Sequence, residues 1–258
     1  MKEFDNEWAI ILGGSSGLGL ATAKKLAHHG LNICIVHRDR KASLDELNAA
    51  FDAIRSYGVE VMSFNKDALK AETIDEVIGR ISDNSLKVLV HSIARGSVKP
   101  FFAEDKSATI SSEDLKITID AMGLSWHTWT KALVENEKFS SNARNIAFTS
   151  EGNTRAWKSY GAVSAAKATL EALMRQMAIE LPLKGITTNC IQAGLTLTKS
   201  FEHIPGSEKM AKFTTARNPF KRLTTPEDVA NVVYLLCKDE ASWINGVVLK
   251  ADGGESLS

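Results

Sequence analysis

Three spaced glycines, a tyrosine and a lysine carry most of the chemistry open to this sequence. In Ile10-Ile11-Leu12-Gly13-Gly14-Ser15-Ser16-Gly17-Leu18-Gly19-Leu20 an apolar run meets glycines and then a stretch of good helix formers. Gly13 permits a tight turn, Gly17 lets backbone approach a pyrophosphate, and Gly19 lets the helix pack close on the strand. The N–H groups at the helix start, around Ser15, Ser16 and Leu18, then face the anion. The turn reads as a nucleotide-phosphate site, although such turns also occur without a ligand. After a second apolar run, Ile33 to His37, come Arg38, Asp39, Arg40 and Lys41. A carboxylate here would accept from the ribose hydroxyls of NAD, whereas a 2′-phosphate wants Arg or Lys. His37 stands where the acid would be, so the cations, Arg38 first, favour NADPH over NADH. Asp39 argues the other way. Further on, Tyr160 and Lys167 stand seven apart, two turns along one helix face, and Ser150 ends the preceding apolar run. A phenol near an ammonium gives or shares its proton more easily. Taken alone, such a pair also fits an ordinary surface.

The elements that must position these residues are legible as alternation. Apolar runs at 9–12, 31–37, 59–65, 87–92, 145–150, 186–192 and 247–251 are separated by amphipathic stretches near 17–29, 43–57, 71–82, 111–136, 160–181 and 226–238. Compact apolar runs between helices imply strands buried on both faces. The pattern predicts one doubly wound α/β domain over residues 1–258, with a seven-stranded parallel sheet and helices on both sides. Thr225-Pro226-Glu227-Asp228 predicts a capped helix start. The stretch 195–224 lacks a period and is expected to be a substrate lid, with Gly206 as a hinge. Its apolar residues, Leu195, Leu197, Phe201, Ile204, Met210 and Phe213, have no obvious core to join.

Composition narrows the classes. The 258 residues are 44% hydrophobic, and 31 Lys and Arg balance 31 Asp and Glu, a net charge of zero that leaves no footprint for nucleic acid or an anionic membrane. Cys34, Cys190 and Cys237 sit apart among apolar neighbours, without a CxxC pair, so buried thiols in a reducing compartment are expected and a metal site is not. The first eight residues carry acids where a signal peptide needs bases, and a cytoplasmic protein is expected.

Together these residues resemble the short-chain dehydrogenase/reductase family over nearly the whole chain. The family's TGxxxGxG turn appears as Leu12-Gly13-x-x-x-Gly17-x-Gly19, with Leu in place of Thr. Asp67 resembles its adenine-contacting Asp, and Gly194, Thr196 and Thr198 resemble its turn after strand six. The usual Tyr-x3-Lys is replaced by Tyr160-x6-Lys167, the spacing of enoyl-acyl-carrier-protein reductases. The usual Asn-Asn-Ala-Gly is replaced by His91-Ser92-Ile93-Ala94, similar to the Ser-Ile-Gly/Ala of those reductases, so Ser92, Ile93 and Ala94 become cofactor-binding candidates. Ser150 instead matches the catalytic Ser of the wider family, a mixture that resembles the divergent NADPH-using branch of enoyl reductases.

The resemblance implies reduction of the 2,3 double bond of an enoyl thioester, carried on acyl carrier protein, in fatty acid synthesis. In that reading Tyr160 donates to the substrate oxygen, Lys167 holds the nicotinamide ribose and lowers the Tyr160 pKa, and Ser150 adds a polar contact. A 3-ketoacyl or hydroxysteroid-type carbonyl reductase and an idle NADP(H)-binding regulator remain open. Apolar stripes near 111–136 and 160–181, with the family's habit of pairing these helices, imply a homodimer or homotetramer. Trp126 and Trp129 suggest a buried helix contact, and Lys99-Pro100-Phe101-Phe102 either lines the acyl site or covers the sheet edge.

Overall fold

A computed structural model describes residues 3, 4, 6–198, 201 and 206–258. Seven strands, β1 (Trp8–Leu12), β2 (Asn32–His37), β3 (Val61–Asn65), β4 (Leu86–His91), β5 (Phe139–Ser150), β6 (Ile186–Ala193) and β7 (Val248–Ala251), form one parallel sheet in the order β3-β2-β1-β4-β5-β6-β7. Strand side chains alternate between faces, and each face has its own apolar layer. Ile11, Ile33, Ile35, Val88 and Val90 pack with helices α1 (Gly17–His28) and α2 (Leu44–Arg55). Ile10, Leu12, Cys34, Val36 and Leu89 pack on the other side with α3 (Ala71–Ile78) and with Trp126, Trp129 and Leu170. That double burial is why the strands read as unbroken apolar runs.

Three boundaries depart from the sequence reading. β5 begins at Phe139 rather than 145, because Ser140-Ser141-Asn142 hides its first half behind polar residues. The stretch 111–136 is not one helix: α4 (Ser112–Ile119) passes through a π turn, Asp120–Leu124, into α5 (Ser125–Glu135). At Gly123 in that turn a Cβ would lie 3.1 Å from the Ala166 carbonyl oxygen, so the extra residue lets the chain pass close to α6 (Gly161–Glu180). The aperiodic stretch 195–224 contains a helix, α7 (Ser207–Arg217), which rests only Thr214 in the interior and therefore shows little amphipathic pattern.

The final helix, α8 (Pro226–Cys237), opens with the expected cap. Thr225 Oγ1 accepts from the Asp228 amide, and Asp228 reaches back to the Thr225 amide. Trp126 and Trp129 are fully buried against the sheet, where their indoles donate to Asn145 Oδ1 and the Ala68 carbonyl. They are core residues of the single chain. Of the stripe expected around them, Ile117 and Leu124 stay half-exposed. The three cysteines are buried free thiols, and burial pushes each thiol up. Among the described residues no helix is long and apolar enough to cross a membrane.

One buried charge holds the sheet to α8. Arg144 of β5 is almost wholly buried, and its Nε and Nη2 donate to the carbonyls of Leu236 and Lys238 at 2.5 and 3.0 Å. The Leu236 carbonyl lies in the last turn of α8, and the Lys238 carbonyl just beyond it also accepts from the Ala241 amide. Replacing the guanidinium by an apolar side chain strands the Leu236 carbonyl, at about 1–3 kcal/mol. We expect Arg144→Leu to lower the unfolding free energy by at least ~1 kcal/mol in a urea titration; an unchanged midpoint would show that water or Lys238 replaces the cap.

Candidate active site

The carboxyl ends of β1, β2, β4, β5 and β6 open into one cavity of about 930 Å³. Its floor is the glycine turn. Gly13 has a φ of +83°, and a Cβ there would meet the Ser92 carbonyl oxygen at 2.6 Å, so the turn lies directly on the end of β4. Ser16 precedes α1 in an extended conformation with no side-chain cap bond, leaving the first amides of the helix to an anion. Gly17 sits under Thr198, whose methyl a Cβ would meet at 3.2 Å. Gly13, Ser15, Ser16, Gly17 and Leu18 line the cavity. Gly19 does not; it faces the Gly13 carbonyl, where a Cβ would come within 2.2 Å, and serves helix–strand packing. Ser92, Ile93, Ala94, Gly194, Thr196 and Thr198 line the same space. These unpaired amides and missing side chains suit a dinucleotide pyrophosphate.

At one end the cavity is cationic. Arg38 follows β2 and donates from Nη1 to Asp67 Oδ2 at 3.1 Å. Arg95 follows Ala94 and donates to the same oxygen, also at 3.1 Å. Burial raises the Asp67 pKa, but the Leu69 amide and the Arg95 and Arg38 charges outweigh it and hold the carboxyl below its usual value. Arg40 and Lys41 lie outside the cavity wall. Asp39, the acid that argued for NADH, accepts from the buried His37 ring, with Nδ1 and Oδ2 2.8 Å apart. Its backbone is fastened to Asn65 by two further bonds.

At the other end stand the reacting groups. Tyr160 immediately precedes α6, and its hydroxyl lies 3.3 Å from Ser150 Oγ at the end of β5. Burial pushes the Tyr160 phenol up, against a smaller lowering by Ser150, so it is a protonated donor at neutral pH. The sequence reading had Lys167 lowering that pKa. The structure places the Lys167 ammonium elsewhere, donating to the Phe148 carbonyl at 2.7 Å. Burial pulls Lys167 down to about 8, partly opposed by Cys190 and Glu171. Glu171, one turn further along α6, accepts from Thr149 at 2.6 Å. His91 is fully buried; burial, then the Lys167 charge, holds its pKa down to about 3. The neutral ring bonds Ser125 through Nε2, while Nδ1 has no partner among the described residues.

Sequence reasoning missed Arg95, Glu171, His91 and the lid's anchors. Arg95 directly follows a nominated segment, and Glu171 stands at i+4 from Lys167, so both carried a signal. Arg217, at the end of α7, carried none; it reaches Glu151 and Glu255 at 3.2 and 3.5 Å. Of the lid residues, Leu195, Phe201 and Met210 line the cavity, whereas Leu197 and Phe213 are exposed and Ile204 lies outside the described residues. Gly206 has a φ of +83° at the start of α7. Phe101 is not part of the cavity wall. Its ring packs on Gly161 beside Tyr160, and Phe102 is exposed. Among the described residues no cluster of His, Cys, Asp or Glu could hold a metal ion.

Two measurements follow from this packing. At Gly152 a Cβ would lie 2.3 Å from Tyr160 Cε1, so Gly152→Ala must displace the phenol; turnover should fall at least about tenfold with the melting temperature nearly unchanged, and full activity would mean that the ring position is not critical. Lys167 is charged below pH 8 in the folded chain but up to its ordinary, higher pKa when unfolded. The unfolded state therefore binds the extra proton in between, and stability rises with pH across that window. Lys167→Met should be more stable than wild type at pH 7, with the advantage shrinking by pH 9.5; a constant difference in urea unfolding contradicts the buried-ammonium account.

The comparisons with known proteins agree with this geometry. The family model described as Enoyl-(Acyl carrier protein) reductase matches residues 13–256. The (2S)-[(R)-hydroxy(phenyl)methyl]succinyl-CoA dehydrogenase subunit BbsD of Thauera aromatica is 31% identical, over 98% of this chain and 97% of that protein. A probable 2,4-dienoyl-CoA reductase of Bacillus subtilis is 30% identical, over 96% of each. The crystal structure of enoyl-[acyl-carrier-protein] reductase (NADH) from Aquifex aeolicus superposes with a TM-score of 0.83 at 25% identity, covering 98% of both chains. The glycine turn, the Tyr160/Lys167 pair and the whole-chain match place this protein in the short-chain dehydrogenase/reductase family of oxidoreductases.

Proposed function

We propose that the chain is an NADPH-dependent reductase of the 2,3 double bond of an enoyl thioester, presented on acyl carrier protein for fatty acid synthesis. The observation that carries this reading is the protonated Tyr160 phenol, set in a cavity whose remaining walls include Val98, Met122, Leu195, Phe201 and Met210. Two reductase relatives, named for dienoyl-CoA and enoyl-acyl-carrier-protein substrates, support it. The amides at the start of α1 would hold the pyrophosphate, Arg38 the 2′-phosphate, and Lys167 the nicotinamide ribose. Bound there, NADPH supplies a hydride to the substrate's β-carbon.

The chain's own task is then electrostatic. Negative charge gathers on the thioester oxygen, and Tyr160 donates to it in surroundings too apolar to screen the interaction. Ser150 holds the phenol from the other side and offers a second hydroxyl. Lys167, still charged at neutral pH, adds positive potential. The lid over residues 195–224 covers the acyl chain and excludes water.

A second reading rests on the Ser150–Tyr160 contact, since two hydroxyls 3.3 Å apart also suit one ketone oxygen. A carbonyl reductase or an alcohol dehydrogenase would use them so, and the Thauera relative is named a dehydrogenase. NADPH oxidation with a crotonyl thioester, against an acetoacetyl thioester, separates the two. We expect turnover with crotonyl only, and Tyr160→Phe should reduce it by about a hundred- to a thousand-fold while NADPH still binds. Turnover with acetoacetyl only selects the carbonyl reading, and turnover with neither leaves a cofactor-binding regulator.

A further inference from the structure

The arginine-lined end of the cavity holds more N–H donors than its own carboxylates accept from. β2 and β4 flank β1 on opposite sides, and the loops that leave them carry Arg38 and Arg95 across the sheet's switch point. Both side chains converge on one atom, Asp67 Oδ2, each at 3.1 Å and each through Nη1 alone. No other bond of either guanidinium is found among the described residues. A guanidinium is a planar fork of five donors, so most of both forks remains free. Their side chains are 57% and 41% exposed, open to a ligand.

Neighbouring acceptors do not take up the free donors. The second oxygen of Asp67 accepts from the Leu69 amide. Asp39 is bonded to the His37 ring, and Lys66 pairs with Glu76. Two guanidiniums therefore share one carboxylate oxygen, and a dianion placed at the outer edges of both forks would accept from the donors they leave free. Charge-assisted, paired N–H bonds to phosphate oxygens are what Arg makes better than Lys. A phosphate directly above Asp67 would be repelled, so the anion has to sit between the free edges.

We propose that Arg95 is the second arm of a 2′-phosphate clamp, with Asp67 holding both arms against the cavity wall until the phosphate arrives. This rests on the NADPH reading above, and adds to it a specificity-determining residue from a different loop. NADH offers hydroxyls at that place, which carry no charge to meet the two guanidiniums.

Equilibrium titration of the whole chain with NADPH, NADH, 2′,5′-ADP and ADP tests it at one fixed ionic strength, since such contacts are screened by salt. Arg95→Ala should loosen NADPH and 2′,5′-ADP by about tenfold and leave NADH and ADP within about twofold. In an Arg38→Ala background, Arg95→Ala should still loosen NADPH further. Arg95→Gln, which can keep a hydrogen bond to Asp67 without the charge, should behave as Arg95→Ala does. Equal loss of NADPH and NADH would mean that Arg95 packs on the adenosine common to both, and the proposal is overturned. No further loss in the Arg38→Ala background would make Arg95 only a support for Arg38, which also overturns it. If wild type prefers NADPH and Arg95→Ala keeps that preference, only the clamp fails. If wild type binds NADH as tightly as NADPH, the cofactor reading falls and the clamp with it.

Discussion

The parallel ladder through β2, β1, β4, β5 and β6 sets every carboxyl end on the same edge of the sheet, and the cavity exists because of that alignment. Leu12 is in register with Val36 and His91, His91 with Ala147, and Ser150 with Ala193. A one-residue slip in any pair would turn apolar side chains out of their layer. Both faces are buried, so both layers resist the slip. The loops that leave these strand ends therefore arrive with fixed spacing. The glycine turn can then lie on Ser92, and two arginines from different loops can share Asp67.

Burial then sets the electrostatics of the other end. Lys167 is an ammonium with almost no contact with water, accepted by one strand-end carbonyl and watched by Glu171 across Thr149. Its cost is a depressed pKa; its return is positive potential that water does not screen. The same desolvation keeps Tyr160 protonated and His91 neutral. A proton donor at the start of α6 and a buried cation two turns along it are therefore a consequence of where that helix docks. The π turn at Asp120–Leu124 and the bare Cα of Gly123 permit that docking, because α6 runs against them at backbone distance.

Within the segment 195–224 the described residues are fastened at Arg217 and Asn218. Arg217 joins Glu151, the residue after Ser150, to Glu255 near the carboxyl terminus, and Asn218 bonds the Asp252 carbonyl. Glu255 is itself buried and also accepts from the Leu195 amide. The Leu195 amide and Arg217 thus meet the same carboxylate, Glu255, and Thr196 bridges Thr224. α7 keeps Phe213 exposed and turns Met210 to the cavity.

Local chemistry sufficed for much of this from the sequence alone. The alternation of short apolar runs and helices named the sheet, because strands covered on both faces leave a mark that needs no knowledge of their partners. The glycine turn, Ser150, Tyr160 and Lys167 were legible since each depends on a motif a few residues long. Where polar residues interrupt an apolar run, as in the first half of β5, or where a helix buries almost nothing, as in α7, the period disappears and so did the element. Charge pairing lay further out of reach. Whether Lys167 faces Tyr160 or the Phe148 carbonyl, whether Asp39 stays free or binds His37, and which arginines meet at Asp67 depend on distances between residues far apart in the chain. The sequence determines which groups are present and on what elements; only the packed sheet decides which of them touch, because burial and register, not spacing, set those distances.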